Sequence, residues 1–112
     1  MNIQIFGVKK CFDTKKAERY FKERRINYQY VDFSIRSLSK GELQSVKNAV
    51  GLKNLINPQA KEYKRLNMDR IISPNLQEEL LLNNPGLLRT PIVRNGKQAT
   101  VGYAPEVWES WE

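Results

Sequence analysis

Residues 1–33 read MNIQIFGVKKCFDTKKAERYFKERRINYQYVDF, and this stretch decides the fold. Ile3 and Ile5 alternate as in a strand with one buried face, Gly7 supplies a bend, and a basic loop leads to Cys11. A helix follows, because Ala17, Tyr20 and Phe21 recur at the spacing that places them on one inward face. Asp13 or Thr14 is expected to cap it, since their side-chain oxygens accept bonds from the first free backbone N–H groups. The helix is expected to end near Arg24–Arg25. Asn27 then turns the chain, and Tyr28, Tyr30 and Val31 to Phe33 have the β-branched and aromatic character of a second strand. Strand, helix, strand is a βαβ unit, whose strands run parallel with a right-handed crossover.

Cys11 is the only cysteine, and it stands at the mouth of that helix with Lys9, Lys10, Lys15 and Lys16 close in sequence. Free N–H groups, the helix dipole and ammonium charges all favour a thiolate, the nucleophilic form. A lone cysteine is more often a small buried hydrophobe, but this loop position argues for chemistry. One cysteine forms no internal disulfide, so a reducing, cytoplasmic setting is expected. The chain has no histidine, which excludes Cys–His and Ser–His catalysis and leaves no donors for a zinc cage.

The formal charge of +7 favours anionic partners, such as oxyanions, glutathione or an acidic protein surface, and serves equally as a solvated surface. The basic residues are dispersed and no recognition motif accompanies them, so direct nucleic-acid binding is not expected. At 112 residues, 40% hydrophobic and 28% charged, the sequence reads as one globular domain (1–112) with a single core. No apolar run reaches the length of a membrane span, and Lys9 and Lys10 interrupt any signal-peptide pattern.

Beyond the βαβ unit, Ser39 and Glu42 have the spacing of a capping box, and Leu38 with Leu43 that of a hydrophobic staple. Leu43, Val46 and Val50 mark the buried face, and Gly51 is expected to end this helix in a left-handed cap. Leu52, Leu55 and Ile56 suggest a short helical turn stopped before Pro58. From Gln59 to Asn84 the pattern stays helical with a break at Ser73-Pro74, where a new helix carries Leu76, Leu80 and Leu81. The last third changes period: Pro91 to Val93 reads as a strand, Asn95-Gly96 as a two-residue hairpin turn, and Gln98 to Val101 as the partner strand. Pro105 opens a closing helix with Val107, Trp108 and Trp111 as apolar anchors. The fold class is thus α/β: a mixed four-stranded sheet from an N-terminal βαβ and a C-terminal β-hairpin plus helix, with a helical insertion over 38–84.

Two stretches carry a family resemblance. Cys11-Phe12-Asp13-Thr14-Lys15-Lys16-Ala17 resembles the active loop of the arsenate reductase (ArsC)/Spx family, in which a cysteine precedes the first helix and a basic residue follows four positions later. Asn84-Pro85-Gly86-Leu87-Leu88-Arg89-Thr90-Pro91-Ile92-Val93 resembles that family's PGLLRRPI segment, and Gly102-Tyr103 its VGY. The resemblance implies a thioredoxin-like fold with a cis bond at Pro91, lying beside the cysteine. It also implies a thiol oxidoreductase in which Cys11 is the nucleophile and Lys15 its electrostatic support, with Lys10, Thr14, Arg89, Thr90 and Pro91 lining the substrate site. Glutathione would serve as co-substrate, with glutathione or glutaredoxin as partner, and no cofactor would be tightly bound.

The departures are chemical. The arsenate reductases hold their oxyanion with further arginines, whose places here fall near Asn57 to Gln59, at Thr90 and near Gly102–Tyr103. Neither Thr nor Asn offers the bidentate fork of a guanidinium, so arsenate itself is a poor fit. The Spx regulators, which bind RNA polymerase, carry a Cys-x-x-Cys switch; here the second position is Thr14. They also carry a basic extension past the last helix, which a sequence ending at Glu112 does not show. Gly51 corresponds to a glycine those regulators use at the polymerase surface, although a helix-ending glycine needs no such role. The alternative function is therefore an Spx-like, non-enzymatic adaptor binding RNA polymerase or another acidic protein surface.

Overall fold

In the computed structural model, which describes residues 1–111, β1 (Ile3–Gly7) is the strand on which the other layers are built. It pairs in parallel with β2 (Tyr28–Asp32) and antiparallel with β3 (Ile92–Asn95). β4 (Gln98–Val101) returns antiparallel to β3, so the four-stranded sheet has the order β2-β1-β3-β4. This is the mixed, thioredoxin-like arrangement expected from the βαβ unit and the hairpin.

Side-chain alternation along these strands divides the interior. Ile3, Ile5 and Val93 face α1 (Phe12–Glu23) and α5 (Pro105–Trp108), where they meet Ala17, Tyr20, Phe21, Trp108 and Trp111. Phe6, Val31 and Ile92 face the other side and pack under Leu43, Val46, Leu55, Leu81 and Leu87. Two buried clusters therefore flank the sheet, where chain length alone suggested a single core. A central sheet covered by helices on both faces must bury both sets of side chains. On the α1 side the aromatic rings stack edge to face, with Tyr20 and Trp108 centroids 5.1 Å apart. The Trp108 indole N–H donates to Thr100 Oγ1 at 2.8 Å inside this cluster.

The helical block packs on the second face. α2 (Lys40–Val50) begins with the expected capping box: Glu42 N–H donates to Ser39 Oγ, and Ser39 N–H to Glu42 Oε1. Gly51 ends it at φ 89°, ψ 143°. The positive φ was expected but the ψ was not, because the chain leaves extended rather than in a left-handed turn. A 3-10 turn (Leu52–Leu55) follows. The helical run expected from Gln59 is interrupted earlier than Ser73. α3 is only Lys61–Arg65, Asn67 turns left-handed at φ 55°, and a second 3-10 turn (Met68–Arg70) precedes α4 (Pro74–Asn83). Asn tolerates that conformation better than most residues, and no apolar stripe long enough to overrule it runs through the segment.

Three further expectations are corrected. Leu76, in the first turn of α4, is exposed, while Leu81, near its end, is fully buried in the cluster with Leu43 and Val46. Val107 is exposed, since the one-turn α5 turns inward only the side of Trp108, with Trp111 following it into the cluster. The hairpin turn is shifted by one residue: Asn95 pairs with Gln98, leaving Gly96-Lys97 as the loop. Gly96 has φ 61° and Lys97 has no positive φ, the pattern of a turn with glycine in its first central position. Among the described residues, no helix is long and apolar enough to cross a membrane.

Candidate active site

β1 ends at Gly7, and the loop after it brings Cys11 to the N-cap of α1, with φ −81° and ψ 119°. The carbonyl of Cys11 accepts the first intrahelical bond, from Lys15 N–H at 3.2 Å. Asp13 and Thr14, expected to cap the helix, lie inside its first turn, and no side chain caps it. The N-cap position is the cysteine itself. A side chain there normally accepts from the N–H groups two and three residues on, here Asp13 and Thr14. Ionised Cys11 is placed to be the cap that α1 lacks.

Burial pushes the half-buried Cys11 thiol up, but hydrogen bonds from the Thr14 and Thr90 side chains, then from the Thr14 and Asp13 amides, outweigh it. The net position is below the ordinary thiol value. Helix-mouth donors lower this thiol; the nearby lysine ammonium groups are not among the causes. Thr14 is completely buried and its Oγ1 has no partner that meets hydrogen-bond geometry. Cys11 Sγ donates to the Thr90 carbonyl, 3.7 Å away. The otherwise unpaired Thr14 hydroxyl is the first of the donors that favour the Cys11 thiolate.

Gly7 makes room for this arrangement. A Cβ built on it would lie 2.7 Å from Thr14 Cγ2, inside contact distance. On the opposite wall, Thr90–Pro91 is cis and Pro91 is buried, its carbonyl accepting from Gly102 N–H at 2.8 Å. Cys11 and Thr14 at the start of α1 thus meet Thr90 and Pro91 from the segment before β3, two distant points of the chain.

Other candidates stand apart. Lys10 is exposed on the loop, and Lys15 is exposed with its Nζ 5.8 Å from the centroid of the Phe12 ring. Lys16 lies over Tyr103, 5.7 Å from its centroid. Arg89 is exposed and lines a cleft of the helical insertion together with Lys53, Tyr63 and Gln77, not with Cys11. One residue that reads in the sequence only as a strand position joins the site's electrostatics. The buried Tyr30 hydroxyl has no partner, and its pKa is raised by burial and then by the charges of Asp32, Glu18 and Cys11. Nothing in the sequence marks it, because its closeness to Cys11 depends on the β1–β2 register, Ile5 opposite Tyr30.

The chain is 33% identical over 107 residues to the global transcriptional regulator Spx 2 of Oceanobacillus iheyensis, covering 92% of this chain and 78% of that protein. It is 30% identical over 105 residues to the global transcriptional regulator Spx of Staphylococcus aureus, covering 90% and 79%. Among solved structures, an arsenate reductase from Vibrio cholerae superimposes with a TM-score of 0.87 at 23% identity, over 98% of this chain and 97% of that one, a likeness of fold. The model of the ArsC family matches residues 6–111, from the end of β1 to the last buried tryptophan, and the chain belongs to that family.

Proposed function

We propose that this protein is a thiol–disulfide reactive member of its family, in which Cys11 exchanges with a small thiol of the glutathione class. The observation that carries this reading is the single cysteine at the N-cap of α1, held below its ordinary pKa by donors from Thr14, Thr90 and the helix mouth. The Cys11 thiolate would attack one sulfur of a glutathione-type disulfide, forming Cys11–S–S–R and releasing the other half as RS⁻. A second external thiolate would then attack the R sulfur, regenerating the Cys11 thiolate and leaving a new low-molecular-weight disulfide. Thr14 stands where an internal resolving cysteine would be needed, so the second thiol comes from outside. Thr90 in place of an arginine before Pro91 favours thiol exchange over oxyanion reduction. Glutathione or a glutaredoxin in the cytoplasm is the partner this chemistry calls for.

The test is mass spectrometry after incubation with glutathione disulfide. One glutathionyl group should appear on Cys11, be removed by excess thiol, and be missing from Cys11→Ser. No adduct while a denatured control reacts would refute the reading.

The 30–33% identity to Spx regulators over nine-tenths of the chain supports a second reading, a transcriptional adaptor whose partner, by that resemblance, would be RNA polymerase. Its test is capture of RNA polymerase on immobilised protein. Retention by the Cys11→Ser variant favours the adaptor, and no retention by either form removes it.

A further inference from the structure

Arg89 lines a cleft of about 450 Å³ against the helical insertion, whose walls do not include Cys11. The cleft is framed by backbone pairing: Arg89 N–H donates to the Leu55 carbonyl at 2.9 Å and Asn57 N–H to the Leu87 carbonyl at 2.8 Å. Its walls are therefore held in place without a ligand. The charged side chains on it are uncommitted. The ion pairs among the described residues are Arg36–Glu42 and Lys47–Glu78, which leaves Arg89, Lys53 and Asp69 without a partner. Two amides are half used. Asn54 Nδ2 donates to the Val50 carbonyl and Gln77 Nε2 to the Ile71 carbonyl, so each retains a free side-chain carbonyl. Ile56, Tyr63 and Ile71 supply apolar surface between these groups.

We propose that this cleft binds a small carboxylate with an apolar body and its own hydrogen-bond donors, of the class of a short apolar peptide with a free C-terminus. Arg89 and Lys53 match the carboxylate. The free carbonyls of Asn54 and Gln77 and the Asp69 carboxylate match N–H donors, an ammonium included. The apolar residues cover the side chains, as in ligand sites where a few polar groups fix orientation. A dianionic ligand such as a phosphate is disfavoured, because Asp69 lies on the same rim. The site is separate from Cys11, and its failure would leave the thiol reading intact.

The experiment is a titration of the ¹⁵N-labelled protein with leucyl-phenylalanine and, in parallel, with its C-terminal amide, followed by amide chemical shifts. Shifts should centre on Lys53 to Ile71 and on Arg89. The amide should bind about tenfold more weakly, as should the free dipeptide to Arg89→Gln, the loss expected for one charge-assisted contact. Should Arg89→Gln lose its dispersed spectrum, Lys53→Gln serves instead. No shift at millimolar peptide, shifts scattered or centred on Cys11, or equal binding by peptide, amide and variant would each overturn the proposal.

Discussion

Replacing Thr14 by Val separates stability from reactivity at one position. Thr14 is completely buried against Gly7, and its hydroxyl has no partner that meets hydrogen-bond geometry. A buried hydroxyl without a hydrogen bond costs about 1–3 kcal/mol on mutational scales. Val keeps the branched shape and removes that atom, so Thr14→Val should stabilise the thiol form by about 1 kcal/mol, the low end of that range, because the new methyl must fit where Oγ1 was. The sign changes with ionisation. Cys11 has a folded pKa below its unfolded value, so its contribution to stability is fully present above the unfolded pKa and is lost as pH falls through the folded one. Thr14 is one of the donors behind that contribution. The advantage of Thr14→Val should therefore be greatest below the folded pKa of Cys11 and shrink as pH rises through the thiol titration, while the alkylation pKa of Cys11 moves up. Urea unfolding at several pH values, paired with iodoacetamide alkylation rates, measures both effects. An equal stability difference across the whole range, with the alkylation profile unmoved, would show that Thr14 does not act on the sulfur.

Lys15→Ala should leave the alkylation profile of Cys11 nearly unchanged, because hydrogen-bond donors lower the thiol and Lys15 extends over Phe12; a shift as large as that of Thr14→Val would restore a role for the ammonium. Thr100→Val leaves the buried Trp108 indole N–H without its acceptor, and should lower unfolding free energy by about 1–3 kcal/mol in urea titrations followed by Trp fluorescence. Gly51→Ala places a side chain at φ 89°, ψ 143° with nothing nearer its Cβ than Asn54 Nδ2 at 3.8 Å. Its cost is backbone strain of about 1–3 kcal/mol, read as a lower thermal midpoint; unchanged stability would leave that glycine needing another explanation.

Local signals in the chain specified much of this molecule. The βαβ unit follows from Ile3/Ile5 alternation and the Ala17, Tyr20, Phe21 face. Ser39 and Glu42 satisfy backbone N–H groups within three residues of each other, so the start of α2 needs no distant partner. The position of Cys11 at a helix mouth is likewise a property of neighbouring residues. Other features were decided where distant segments meet. The hairpin turn moves to Gly96-Lys97, because strand register chooses among turns that local propensity leaves nearly equal. Register also carries Tyr30 into the field of Cys11. The identity of the groups that lower the thiol depended most on tertiary structure. Sequence proximity pointed to four lysines, whose flexible, exposed ammonium groups are screened by water. The fold selected Thr14, buried against Gly7, and Thr90, brought from the far end of the chain, because a hydrogen bond to a thiolate requires a donor fixed at contact distance.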